Sequence, residues 1–189
     1  MVVFTILERA HKRLRLFVLV SLMLFLSSAG MAFASNLPTD RAGLESAIVY
    51  NILNFVQWPA EETLPPESKF VLCIDAASSV FSSAKQLDGR ALRHMKLTVQ
   101  AVDLSNVAYC KAIYVDTDAS LKSAMARTVS NKEGILVIAG SRFTTQDFPA
   151  IQLFELGSRL AFDISQKQAH QANLQISSKL LRLARKVIE

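Results

Sequence analysis

Four short apolar runs rich in β-formers constrain this chain more than any other feature. They are Lys69–Asp75 (KFVLCID), Lys96–Val102 (KLTVQAV), Cys110–Val115 (CKAIYV) and Gly134–Ala139 (GILVIA). The first and last are almost continuously apolar, the pattern of strands buried on both faces. Segments with helical character separate them, and strand–helix alternation predicts a largely parallel sheet covered on both faces. Two further runs, 151–155 and 159–164, flank Leu156-Gly157-Ser158 and read as a tight antiparallel hairpin. The expected fold is thus α/β: a single domain with a mostly parallel central sheet, helices on both faces and an antiparallel edge hairpin.

The helical segments follow from spacing. Residues 41–57 carry Leu44, Ile48, Ile52 and Phe55 three or four apart, with Thr39 or Asp40 as cap and Pro59 as terminator. Short helices are expected over 79–87, 121–129, 144–148 and 165–173. A last helix is expected over 177–188, with Arg182, Arg185 and Lys186 near its C-terminal end, where cations suit the helix dipole.

The first 34 residues obey different physics. Arg9, Lys12, Arg13 and Arg15 precede Leu16–Leu26, which is apolar but for Ser21, and Ala32-Phe33-Ala34 follows. A basic region, a short apolar region and an A-x-A site make a secretory signal peptide. A spanning helix would need about 20 apolar residues. Cleavage after Ala34 is therefore expected, leaving 35–189 as the mature domain. No cysteine follows the apolar stretch to accept a lipid.

Composition matters once the leader is set aside. The whole chain has 21 Lys/Arg against 16 Asp/Glu, but the mature part keeps 17 against 15. Such a balance lacks the basic stripe of a nucleic-acid binder.

Little catalytic chemistry is encoded. His94 and His170 lack a partner at metal-ligand spacing, and no nucleophile elbow, Walker loop or dinucleotide fingerprint occurs. Ser177-Ser178-Lys179 reads as a helix cap rather than a Ser–Lys pair. Asp75 and Asp116 close two strands, where doubly wound sheets gather ligands, yet a phosphoacceptor or Mg²⁺ site would need more acidic ligands than these runs supply. Asp75 reads as a turn residue, and Trp58 as an aromatic plug at the end of a core-packing helix. No enzyme, metal or cofactor is expected.

Cys73 and Cys110 are the two cysteines of the chain. Export would place them where disulfides persist, and if their strands are neighbours their Cα atoms approach the roughly 5.5 Å that a bridge needs. Two buried thiols are the alternative.

The ordered set of segments resembles the YfiR-like periplasmic proteins. It runs from Tyr50–Pro59 (YNILNFVQWP) through Phe70–Ile74, Leu87-Asp88-Gly89-Arg90, Cys110–Val115 and Gly134–Ile138. It closes with Arg159–Ile164 (RLAFDI) and Leu174–Ala184 (LQISSKLLRLA). The chain departs from the family at Phe148-Pro149-Ala150-Ile151, where a Gly-Gly-Met-Ile turn is frequent. It departs again at Ser165, where Asn is frequent, and at Asn173, where Gly is frequent.

The resemblance implies a regulatory protein that binds the periplasmic sensor region of an inner-membrane diguanylate cyclase and holds it inactive, lowering cyclic di-GMP and biofilm growth. It also implies an outer-membrane lipoprotein as a second partner, self-association into a homodimer, and a stabilising disulfide between Cys73 and Cys110. Phe162, Ile164, Leu174 and Ile176 lie in the family-like C-terminal region and are candidate partner contacts, with core packing as the plainer role for such residue types. The competing reading is a periplasmic small-molecule binding module that uses the crevice at the strand ends.

Overall fold

The computed structural model describes residues 41–59, 61, 65, 67–103, 105–117, 133–143, 149–157 and 159–189. The expected leader (1–34), the caps Thr39 and Asp40, and the helices expected over 121–129 and 144–148 lie outside the described residues.

Helix α1 spans Arg41–Leu53. Strand β1 (Val56–Gln57) and the central strand β2 (Lys69–Ile74) follow, then α2 (Ser79–Lys85). Strands β3 (Ala91–Leu92) and β4 (Met95–Ala101) come next, then a 3-10 turn at Val107–Tyr109 and β5 (Ala112–Val115). The chain continues through β6 (Leu136–Ala139), β7 (Ile151–Leu156), β8 (Arg159–Ser165) and α3 (Gln166–Gln171). Strand β9 (Gln175–Ile176), α4 (Ser178–Leu183) and β10 (Lys186–Ile188) complete it.

Among the described residues, one sheet runs in the order β10-β8-β7-β6-β5-β2-β4-β3, and β1 and β9 form a separate antiparallel pair. The run β4-β2-β5-β6-β7 is parallel throughout. This is the expected α/β architecture. Alternate residues of the strands feed two apolar clusters. Leu72, Ile74, Tyr114, Leu136 and Ile138 pack with Val49, Ile52, Val80 and Leu180 of the helices. Cys73, Ile113, Val115, Val137 and Ala139 pack on the other face with Val107, Ile135 and Phe143. Burial of both faces is why these strands read as continuous apolar runs.

Three expectations are corrected. First, α1 ends at Leu53 rather than running to 57. Asn54 and Phe55 turn back by donating their N–H groups to Asn51 and Ile52 carbonyls, and the Asn54 amide donates to the Tyr50 carbonyl. Val56 and Gln57 then pair with Ile176 and Gln175. A β-ladder formed with residues 118 and 120 positions away, not Pro59, stops the helix. The buried face of α1 is also rotated: Ala42, Glu45, Ser46, Val49, Ile52 and Leu53 point inward, while Leu44 and Ile48 lie at its margin.

Second, the chain does not close as a helix over 177–188. Ser177 caps α4 by accepting from the Leu180 N–H, and Ala184 is extended (φ −66°, ψ 143°). Arg185 then grips buried Asp163 with two hydrogen bonds of 2.8 and 2.6 Å and stacks 4.2 Å from the Phe154 ring. β-branched Val187 and Ile188 follow as β10, parallel to β8. The β7–β8 hairpin is as expected, but β10 extends the sheet one strand beyond it. Third, Cys110 does not open β5; it precedes the strand, at the end of the 3-10 turn.

Trp58 is the plug expected of it. Its ring meets Phe70 edge-on at 4.8 Å, and its indole N–H donates to the Lys111 carbonyl at 3.0 Å. Arg93 lies 5.5 Å from the ring centre, donating to the Leu53 carbonyl (2.6 Å) and to Glu61 (2.5 Å). Asn173 adopts φ 55°, so the residue standing where the family favours Gly does hold left-handed geometry, which Asn tolerates.

Candidate functional site

The parallel strands define the site. β2 has β4 on one side and β5 on the other, so the strand order reverses between β2 and β5. Ligands of open α/β sheets gather at such a reversal, outside the carboxyl ends of the strands. Here that edge carries Asp75 after β2, Asp116 after β5, and Gly140-Ser141-Arg142 after β6. The first turn of α1 brings Arg41 and Glu45 to the same place.

Two buried carboxylates form the floor. Glu45 accepts from the Tyr114 hydroxyl, from Ser141 at 3.0 Å and from Arg41 Nε at 3.2 Å. Asp116 accepts from Arg142 through both carboxylate oxygens and from Ser78 at 3.0 Å. Arg41 also donates to Ser141 and pairs with Glu155 of β7. A buried carboxylate is tolerated only when charge-paired and hydrogen-bonded, and each of these is both. Burial, and then the hydrogen bond to Glu45, pushes the Tyr114 phenol far above its usual range, so Tyr114 stays a donor. The Asp116 carboxylate holds the Arg142 guanidinium firmly in its charged form.

The floor leaves no room at Gly140. A Cβ there would lie 3.0 Å from Tyr114 Cζ, closer still to its hydroxyl, and 3.2 Å from Asp116 Oδ1. Gly140→Ala is therefore expected to displace Tyr114 and to cost about 1–3 kcal/mol, a typical overpacking penalty. Thermal unfolding checks this. The double variant Gly140→Ala/Tyr114→Phe removes the colliding oxygen, so its loss should fall short of the sum of the single losses. Strict additivity would show that the clash is not the cause.

Above the floor is a cleft of about 280 Å³ lined by Arg41, Ala42, Glu45, Ser79, Asp116, Arg142 and Glu155. Asp75 takes no part; its carboxylate accepts from the Ala77 N–H, the turn role expected of it. Sequence reasoning placed Asp116 at a strand end but missed Glu45, Ser141 and Arg142. The one available signal was Ser-Arg directly after a central strand and its glycine.

The remaining candidates lie elsewhere. Phe162 and Ile164 sit on β8, where Phe162 is half-buried opposite Leu153 and Ile164 is fully buried opposite Ile151. Leu174 is buried just before β9, and Ile176 is half-buried opposite Val56. All four contribute to the larger apolar cluster. His170 lies in the last turn of α3, and the His94 carbonyl accepts from the Glu67 N–H. Among the described residues no group of three or more His, Cys, Asp or Glu is placed to hold a metal.

Cys73 and Cys110 are bridged, with Cα atoms 5.8 Å apart and 37 positions between them in sequence. The bridge ties the 3-10 turn to the C-terminal end of β2 and sits in the second apolar cluster.

The family model described as YfiR/HmsC-like (DUF4154) matches residues 42–185, from the first turn of α1 to Arg185. The chain belongs to the YfiR/HmsC-like family. As a family, YfiR-like proteins are periplasmic regulators of diguanylate cyclases, regulatory rather than catalytic. Among solved structures this YfiR-like chain is similar to a conserved domain protein from Vibrio cholerae O1 biovar eltor str. N16961. The identity is 10%, the TM-score 0.42, and the match covers 78% of this chain and 60% of that one. The chain thus spans about three-fifths of that protein's length. No curated protein matches it. Among the described residues of this YfiR-like domain, no helix is long and apolar enough to cross a membrane.

Proposed function

We propose that this protein binds the periplasmic sensor region of an inner-membrane diguanylate cyclase and represses it, lowering cyclic di-GMP and biofilm formation. The family match over residues 42–185 carries this reading. A signal peptide cleaved after Ala34 would deliver residues 35–189 to the periplasm. An outer-membrane lipoprotein that captures the repressor, and a homodimer, belong to the same proposal.

Repression requires no catalytic group. A protein that binds one state of its partner tenfold better than the other supplies about 1.4 kcal/mol, enough to shift the partner's balance tenfold. Of the four candidate contacts, half-buried Phe162 and Ile176 are open to a partner in this conformation, with Ile164 and Leu174 backing them from the core. The disulfide offers a redox input, because reduction would free the turn that it ties to β2.

Deletion of the gene is expected to raise cyclic di-GMP in the native host, and deletion as well of any diguanylate cyclase gene encoded beside it should abolish the rise. An unchanged level under conditions where the protein is made would remove the regulatory reading. A Phe162→Ala/Ile176→Ala variant that represses as wild type would move the contact surface elsewhere.

A further inference from the structure

None of the four candidate partner contacts is among the residues that line the cleft at the strand reversal. Its floor is charge-neutral within itself: each buried carboxylate is paired with one guanidinium, Glu45 with Arg41 and Asp116 with Arg142. A guanidinium gripped along one edge by a carboxylate is fixed in orientation, which readies its remaining donors for a second anion. The Arg142 side chain is 58% exposed, so it stands with its inner edge on Asp116 and its body toward solvent. The rim also carries the opposite charge: Glu155, 52% exposed, faces Arg41, which is 40% exposed. Hydroxyls of Ser78, Ser79 and Ser141 surround these groups, and among the described residues no aromatic ring lines the opening.

We propose that this cleft binds a compact zwitterion, a small polar α-amino acid being the simplest member, with its carboxylate on Arg142 and its ammonium on Glu155. Charge complementarity selects this class. A simple anion would meet Glu155, and a simple cation would meet Arg142, whereas a molecule bearing both charges satisfies each. Its ammonium competes with Arg41 for Glu155, so binding exchanges one exposed ion pair for two new ones. Exposed pairs are weak, so the pair given up costs little. Ser79 begins α2 and Arg142 follows β6, so an occupied cleft would add to the link that Ser78, Asp116 and Arg142 already make between these segments.

The test is calorimetric titration of the purified protein with L-serine, with acetate and ethanolamine as the two separate halves. L-Serine is expected to bind at least tenfold more tightly than either half. Glu155→Gln, at an exposed position that leaves the floor intact, should weaken L-serine at least tenfold while tightening acetate, which no longer meets a like charge. Arg142→Lys keeps the charge that Asp116 needs but loses the fork, and should weaken both L-serine and acetate. Thermal unfolding within about 2 °C of wild type would show that these variants are folded. Absence of binding by all three probes at 10-fold molar excess up to about 10 mM, or L-serine affinity indifferent to Glu155→Gln in a folded variant, would overturn the proposal. Because the readout is binding to the isolated protein, its failure is separate from failure of cyclase repression.

Discussion

The Cys73→Ala/Cys110→Ala double variant is expected to melt about 8–16 °C below the oxidised wild type. A bridge closing a 37-residue separation restricts the unfolded chain by about 4 kcal/mol on the loop-entropy model. In a domain of this size each kcal/mol moves the midpoint by about 2–4 °C. Alanine is the right replacement because both positions are buried, and a serine hydroxyl there would add the cost of an unpaired polar group. The wild type in reductant should fall by a similar amount. The loss should appear first in hydrogen exchange around Val107–Cys110. Among the described residues that turn is then held chiefly by Asp103 accepting from the Ser105 and Asn106 N–H groups and by the packing of Val107. A midpoint within about 2 °C of wild type would mean that the bridge contributes nothing to stability, and would remove the physical basis for redox control.

The second large effect is expected at Trp58. Truncation to alanine removes a buried ring that touches Phe70, takes away one of the two donors to the Lys111 carbonyl, which keeps the Leu136 N–H, and leaves Arg93 without the surface it covers. Loss of a buried aromatic side chain costs about 3–5 kcal/mol, or roughly 6–20 °C in midpoint. Trp58→Phe keeps most of the volume and gives up the N–H bond, so it should cost less than half as much. Trp58 is the only tryptophan, so its fluorescence follows wild-type unfolding directly. Equal losses for the two variants would assign the effect to the Lys111 hydrogen bond rather than to packing.

The strands were legible because burial on both faces writes itself into consecutive residues: Phe70–Ile74 and Ile135–Ala139 need no partner to be recognised. The two-residue ladder of Val56–Gln57 with Gln175–Ile176 was not, because its pairing lies in a distant segment and local spacing continues the helix through it. β10 failed for a related reason. Leu180, Leu181, Ala184 and Val187 keep helical spacing, and only Asp163, 22 positions before Arg185, turns the chain outward into a strand. The cleft was hidden most completely. Glu45 sits where an amphipathic reading of α1 puts solvent, and its partner Ser141 is 96 residues away. Ion pairs assembled from four segments leave no period in a sequence. Only the rule that strand ends gather ligands pointed to the place, through Asp116.

The cysteine pair also bears on how the molecule is made. Cys73 and Cys110 are the only cysteines, and both belong to the β2–β4–β5 half of the sheet. A chain emerging N-terminus first presents both thiols before β6, β7 and β8 exist. With two thiols there is one possible pairing, so no intramolecular mispairing arises and no isomerase is needed to correct one. A single oxidation event can lock the half-built sheet, and the later strands then add to a template whose register is already covalently set.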